Sequence, residues 1–469
     1  HLTAAISTLI VSLCYLVPQM VGAGALVTPL LGMPHYVGVI LVGAIVIFIV
    51  ATAGMASTTY VQFLKGGLLI IFSTIMTIAI FVHGIKTPPD ENYHKFKTIN
   101  ATVTNGEVTA IDSGEYKIMG AQQDAKGHHY VKLNKEGVNT WWALTEKDGN
   151  AVLEEALSVV NVKNGDVLYN GEPKDAQKFF QVGHVGKIIV DGEEVTETGA
   201  VGPFKFLSTI GDSTIVRFEK TIFMDKEDKV QLWYQNPTAG KDIMTPGLKF
   251  KVKKGSTFMS KLDFVSLMIA LFFGTSALPH ILIRYYTVPS PKDARKSTIL
   301  AIASIGFFYI LTLFMGLGAM VTGVLDVQSS NMAGPLLAKF FGIALFSVIS
   351  AIAFATVLGT VSGLIVAASG AVAHDLISNY FAIPMSDKGL VKAGKISAVV
   401  VGVFAILLGI AFKGINVSFL VGLAFAVAAS ANLPAIIMML FWKKTTSQGI
   451  SASIVVGIIS AMTIILLSP

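Results

Sequence analysis

The chain has 469 residues but only one cysteine, Cys14, which excludes an internal disulfide and a cysteine metal cluster. Charge is also scarce. Asp, Glu, Lys and Arg make up 14% of the residues against 53% hydrophobic ones, and the mean hydropathy is +0.67. Soluble globular domains rarely reach that average, so this is a membrane protein. The few charges are unevenly spread. Between Thr87 and Thr257 lie 24 of the 29 acidic and 21 of the 35 basic residues. The rest of the chain carries 14 basic residues against 5 acidic ones, at the ends of apolar runs, so no nucleic-acid patch is present. The apolar runs hold only scattered titratable groups such as His280 and His374, which argues against a membrane enzyme. The chain starts at His1 and is apolar by Leu2, with no basic leader and no cleavage site. That excludes a signal peptide and reads as an N-terminally incomplete chain.

What is present is organised around Leu271 to Arg284, LFFGTSALPHILIR. It lies in an apolar run, about Leu262 to Ile283, long enough to cross a bilayer. Gly274, Thr275, Ser276 and Pro279 in its middle all weaken a helix. Freed backbone groups at membrane depth are tolerated only against protein or a wet cavity. Secondary transporters place ion and substrate sites at such breaks. A Pro-kinked helix with no ligand is the other reading of the same residues.

Eight further runs can span: about Leu2–Leu26, Val37–Thr52, one ending near His83, Thr298–Val324, Ile343–Val372, Ile396–Phe412, Phe419–Trp442 and Ile450–Leu467. Lys65, near the start of the third run, can snorkel to the interface. Asn331–Phe341 reads as a short amphipathic surface helix. Thr87 to Thr257 differs in kind: short β-prone runs (HHYVKL, KIIVDG, STIVRFE, KVQLWYQ) alternate with turn signals at Lys147–Asn150 and Asp191-Gly192. Trp141, Trp142 and Trp233 suggest a core, so a folded, mostly β domain is expected. His128 and His129 are adjacent, which in a strand puts them on opposite faces and makes a poor metal pair. The basic loops Arg284–Lys296, Lys388–Lys395 and Lys443–Lys444 and the Gly54–Lys65 link fall on one side of the membrane, which reads as cytoplasmic. The insert and its face are then extracellular or periplasmic.

Five stretches resemble the sodium:solute symporter family, within it the cation:acetate symporter branch. They are YLVPQMVGAGALV (Tyr15–Val27), GMASTTYVQFLKG (Gly54–Gly66), FFGTSALPHILIRYYTVPSPKDARKS (Phe272–Ser297), AVAHDLISNYF (Ala371–Phe381) and VGLAFAVAASANLP (Val421–Pro434). The resemblance covers nearly all the membrane segments and leaves out the Thr87–Thr257 insert. It implies an all-α polytopic membrane protein with a five-plus-five inverted-repeat transporter fold and a mostly β extracellular insert. Residues 1–86 would be a partial first repeat, 87–257 the insert, 258–442 the second repeat and 443–469 an extra C-terminal helix. The first repeat's opening pair of helices is missing from this mapping.

The resemblance also assigns residues. Sodium ligands map to Thr356, Gly359 and Thr360; sodium is a hard cation that takes hydroxyl and carbonyl oxygens. In a membrane helix, Thr equally back-bonds to the preceding turn. Leu271, Thr275 and Pro279 match substrate-lining positions. Gly274 and Ser276 add amides and a hydroxyl, and Tyr15, Gln19 and Asn432 could face the same cavity. With no Arg or Lys in this stretch at depth, a half-helix N-terminus would have to hold a carboxylate. His280 is a candidate substrate or proton-relay group, or else fixes the kink through a carbonyl. Many family members have an acidic residue where this chain has Tyr60, so a second coupling ion is not implied. The expected protein is a plasma-membrane, multi-pass secondary transporter, not an enzyme. It would couple sodium to symport of acetate or another short-chain monocarboxylate. It needs no cofactor beyond the coupling ion, and a small membrane subunit stays open as a partner. Proline, pantothenate or a sugar as substrate, or a transporter-like sensor using the insert, are the alternatives.

Overall fold

The computed structural model describes residues 2–52, 55–104, 106–147, 150–176, 179–245, 252 and 255–467. Side chains at 29–30, 55–61, 147, 175 and 286–287 are not among those described. The Tyr60 side chain and the middle of the Lys147–Asn150 turn therefore lie outside what is described. The chain divides into two compact units. His1–Thr77, Gly247–Leu313 and Gly334–Pro469 form one, and Ile78–Pro246 with Phe314–Ala333 the other.

Among the described residues, nine helices are long and apolar enough to cross a membrane. The helices are α1 (Leu2–Leu31), α2 (His35–Thr52), α3 (Met55–His83), α4 (Pro203–Asp212), α5 (Gly240–Ile243), α6 (Phe258–Thr275), α7 (Pro279–Leu282), α8 (Pro291–Val321), α9 (Ala333–Phe340), α10 (Ile343–Gly370), α11 (Asp387–Ala411), α12 (Val417–Phe441) and α13 (Ser447–Leu467). Met55–Gln62, which read as a polar link, are helical and form the first turns of α3. A π-helical segment, Ala371–Tyr380, extends α10 through the His374-Asp375 pair.

In the first unit α1 is the central element. One face packs Leu16, Met20 and Ala23 against Val39, Val42 and Val46 of α2, Val361, Leu364 and Ile365 of α10, and Val401 and Ala405 of α11. Another face packs Val11 and Tyr15 against Ala277, Leu278 and Phe425. With no hydrophobic force between helices in lipid, such packing relies on small residues at crossings. Gly457 is one. Pro434 inside α12 cannot donate to the carbonyl of Ser430, and α13 lies so close to that oxygen that a Cβ on Gly457 would come within 2.0 Å of it.

Among its described residues the second unit holds two antiparallel sheets. Strands β1 (Thr98–Thr104), β2 (Glu107–Ile111), β3 (Lys117–Gln123), β4 (His129–Lys135), β5 (Val138–Lys147) and β6 (Asn150–Glu155) run in the order β2-β1-β6-β5-β4-β3. The other sheet has β7 (Leu157–Asn161), β8 (Val167–Tyr169), β9 (Val182–Val190), β10 (Glu193–Val195), β11 (Thr214–Asp225), β12 (Asp228–Ala239) and β13 (Thr322–Leu325). Its order is β10-β9-β11-β12-β7-β8, with β13 beside β9. The tryptophans do form cores, on different faces as strand alternation requires. Trp141 joins Tyr130 to Val230 and Leu232 between the sheets, whereas its neighbour Trp142 packs with Val131, Leu133 and Leu153. Asp191-Gly192 is the β9–β10 hairpin turn, both residues at positive φ. The run read as spanning to Val324 ends its helix at Val321. Thr322 then pairs with His184 and Leu325 with Val182. Gly323, at φ 73°, sits so close to the Tyr93 ring that a side chain would collide with it.

The two adjacent histidines part company as expected. The His128 ring binds the Asp124 carboxylate at 3.1 Å and the His129 ring meets the Gln123 amide at 3.1 Å. Burial opposes ionisation of Asp124. Hydrogen bonds from the His128 and Lys126 amides, the His128 ring and the Tyr130 hydroxyl outweigh it and hold the carboxyl well below the usual range. This is a satisfied turn anchor, and no group of His, Cys, Asp and Glu fit for a metal occurs among the described residues.

His184 has a measurable consequence. The Tyr93 hydroxyl lies 3.0 Å from its Nδ1, and burial lowers the imidazole pKa to about 4. An unfolded histidine titrates near its ordinary value of 6.5. As pH falls through that value the unfolded chain takes up the proton first, so the sheets lose stability between roughly 6.5 and 4 and no more from this group below. Between pH 7.5 and 5 the loss is about 2 kcal/mol. Thermal melts followed by tryptophan fluorescence should show a lower midpoint at pH 5, and His184→Gln should flatten that difference. An equal pH dependence in the variant would remove His184 as the cause.

Candidate substrate and ion site

The break forms where the residue types demand it. The last turn of α6 tightens: Ser276 N–H donates to Phe273 O (3.2 Å) and Ala277 N–H to Gly274 O (3.0 Å). Leu278 is extended, as the residue before a proline prefers, and Pro279 opens α7. The Ala277 carbonyl, freed by the break, accepts the Asn432 amide at 3.0 Å, and the Asn432 oxygen accepts the Ser7 hydroxyl at 2.5 Å. Asn432 thus ties α1, α12 and the break together.

The sequence-assigned residues have different situations here. Gly274 is a close-approach residue: a Cβ there would lie 2.6 Å from both Cβ and O of Phe425. Leu271 packs in the same apolar cluster as Phe425 and Tyr15. Thr275 is half-buried and its hydroxyl donates to Leu271 O at 2.9 Å; Ser276 is exposed and donates to Phe273 O at 2.7 Å. Pro279 is half-buried. The Tyr15 ring sits between His280 (5.4 Å) and Phe425 (5.2 Å). Gln19, one turn further along α1, makes no hydrogen bond to the break among the described residues. His280 is buried, and its Nδ1 has no hydrogen-bond partner among the described residues. A kink-fixing bond from that atom to a carbonyl is therefore not formed. The α7 helix has only four residues, so its dipole offers a carboxylate little.

The second group lies on α10. The Thr356 hydroxyl donates to Ile352 O (2.8 Å) and that of Thr360 to Thr356 O (3.2 Å). Both back-bond, which uses the hydroxyl hydrogens and leaves oxygen lone pairs for a cation. Facing them is α3. Gln62 Nε2 donates to Gly359 O at 2.8 Å and Lys65 Nζ to Ala355 O at 2.6 Å. Lys65, expected to reach for the interface, has the Ala355 carbonyl of α10 as a partner within the protein. On the next turn of α10, a Cβ on Gly363 would lie 3.1 Å from the Arg284 guanidinium and 4.0 Å from His280 Cβ. The Gly359–Gly363 face thus connects the ion group to the break. Gln62, Lys65 and Arg284 were not singled out from the sequence as site residues. The signal available was the spacing of Gln62 and Lys65, which puts both on one face of a helix. Asp375 pairs with the adjacent His374 ring at 3.0 Å.

The family model of the sodium:solute symporter family matches residues 1–136 and 211–457. The chain belongs to the sodium:solute symporter family. It is a multi-pass membrane protein, and the family is one of transporters rather than enzymes. Residues 137–210, in the sheet unit, fall outside the family match. A monocarboxylic acid transporter of Corynebacterium glutamicum is 47% identical over 234 residues, which cover 48% of this chain and 42% of that protein. An uncharacterized symporter of Bacillus subtilis, YwcA, is 45% identical over 237 residues, 49% of this chain and 45% of that one. The match spans less than half the length of either relative. No solved structure matches the chain.

Proposed function

We propose that this symporter-family protein is a secondary active transporter, with sodium coupled to uptake of acetate or another short-chain monocarboxylate. The observation that carries the reading is the buried His280 Nδ1, unpartnered among the described residues, beside the Tyr15 ring and the break. A buried polar atom left unpaired costs about 1–3 kcal/mol, and a guest with a matching group would recover that cost. A short acid suits it: the apolar neighbours are Leu271, Tyr15 and Phe425, the polar groups are few, and the Arg284 guanidinium lies against Gly363 of α10, which also faces His280. The relative named a monocarboxylic acid transporter points the same way.

The coupling ion would sit on α10 with Thr356, Gly359 and Thr360 as oxygen donors. Ion and acid then share one wall, since Gly359 and Gly363 are one turn apart and Gly363 faces His280 and Arg284. Binding of the cation there favours the anion across that wall, and alternating access about the 274–279 break carries both. The wider frame of the proposal is a five-plus-five inverted repeat in the plasma membrane. Residues 1–86 belong to the first repeat, 258–442 to the second and 443–469 to an extra helix, with 87–257 extracellular.

The test is uptake of radiolabelled acetate by proteoliposomes carrying the full-length protein, under a sodium gradient or a proton gradient alone. Sodium-driven uptake is expected, falling on the order of tenfold or more in Thr360→Ala because one cation ligand is gone. Uptake on protons alone, unchanged in that variant, would remove sodium from the mechanism. Absence of uptake of any short monocarboxylate would remove the substrate class.

A further inference from the structure

Lys65 sets its ammonium group against α10 with no acidic partner among the described residues. Its Nζ lies 2.6 Å from Ala355 O, a charge-assisted distance. Ala355 is twelve residues into the 28-residue α10, about 18 Å along the axis from Ile343. Among the described residues of this unit, Asp263, Asp293, Asp375 and Asp387 are the acidic ones, and none is buried. The ammonium's partner is therefore a backbone oxygen, the Ala355 carbonyl, a ligand type that a hard monovalent cation also takes.

The neighbouring residues fit that role. Gly359 leaves room for the lysine: a Cβ there would lie 3.2 Å from Lys65 Nζ and 3.1 Å from Gln62 Cγ. Gln62 meanwhile donates to Gly359 O, a carbonyl also counted among the candidate sodium ligands. Lys65 and Gln62 thus cover the Ala355–Gly359 side of the set to which Thr356 and Thr360 belong. Two cations a few ångströms apart in a medium of low dielectric repel strongly, so the ammonium and a free ion compete for this place.

We propose that Lys65 is a tethered cation of the ion site: its ammonium holds the Ala355 carbonyl in the middle of α10, and sodium binds at Thr356 and Thr360 only when the lysine side chain withdraws. The inference rests on the reading of α10 as the ion-binding helix. Its consequence is a built-in competitor. The lysine weakens sodium binding, speeds release, and leaves the α10 carbonyls satisfied in the ion-free carrier.

Equilibrium binding of radiolabelled sodium to the purified full-length protein tests this without any substrate. Lys65→Met should bind sodium on the order of tenfold tighter or more than wild type. Lys65→Arg keeps the charge and should stay close to wild type. Thr360→Ala added to Lys65→Met should abolish the gain. Should Lys65→Met not purify as a folded protein, Lys65→Gln, which keeps a donor for Ala355 O without the charge, carries the same measurement. Sodium bound no tighter by the neutral variants overturns the proposal, as does the absence of sodium binding in every variant. Acetate uptake is measured alongside. Tighter sodium binding with no uptake of any short acid would sustain the tethered cation and sink the proposed substrate; sodium-driven uptake with unaltered sodium affinity would do the reverse.

Discussion

Gly274→Val is expected to abolish uptake and to lower the amount of folded protein in the membrane. The added Cβ would meet Phe425 Cβ and O at 2.6 Å and Phe425 Cα at 2.8 Å. Two of those atoms are backbone, so no rotamer change relieves the clash, and α6 must move off α12. Overpacking of a well-filled site costs about 1–3 kcal/mol, and more where the backbone has to shift. Movement here also displaces Thr275 and the Ala277–Asn432 bond, so the effect on transport exceeds that on stability. Two comparisons make the cause testable. Gly306 on α8 is exposed and a Cβ there meets nothing within 4 Å, so Gly306→Val should retain uptake. Phe425→Ala keeps the Cβ and carbonyl that cause the clash, so it should not rescue Gly274→Val. Rescue would mean that the aromatic ring, not the backbone, sets the distance.

The broken helix was legible because its cause is local. Pro279 lacks a donor, Leu278 must be extended before it, and Gly274 and Ser276 weaken the preceding turn. The nine spans were legible for a similar reason: hydrocarbon thickness demands a run of apolar residues that nothing else explains. Strand identity in the insert followed from alternation, which also puts Trp141 and Trp142 into separate cores. What was not legible depends on partners distant in sequence. Gly274 reads as a flexible backbone donor, yet it serves as a close-approach residue, because only the position of Phe425, about 150 residues later, makes a Cβ intolerable. Lys65 reads as an interfacial lysine because snorkelling is what a lysine does near the start of a span. Its bond to Ala355 depends on which helix lies opposite. The end of α8 was misplaced by three residues because apolar Val324 fits a span as well as it fits β13. Hydropathy does not separate these, whereas pairing with β9 does.

Asn432→Leu should leave the protein folded and cut uptake on the order of tenfold or more, because it orphans two polar groups at once. The Ala277 carbonyl loses the amide that reaches it at 3.0 Å, and the fully buried Ser7 hydroxyl loses its acceptor. Each orphaned group costs about 1–3 kcal/mol if it stays buried and unpaired. Hydrogen bonds between membrane helices often contribute less than that to overall stability, because the separated helices find other partners. Function is the more sensitive readout. The break has few groups to define its shape, and a shift in its preferred geometry of about 1.4 kcal/mol already changes the competent population tenfold. Ser7→Ala separates the two losses: it removes the hydroxyl and spares the bond to Ala277, so it should cost less than Asn432→Leu. If Ser7→Ala proved as damaging as Asn432→Leu, the α1 contact rather than the support of the break would be what Asn432 supplies. Full uptake in Asn432→Leu would show that the Ala277 carbonyl finds another donor and that the break holds its shape without help.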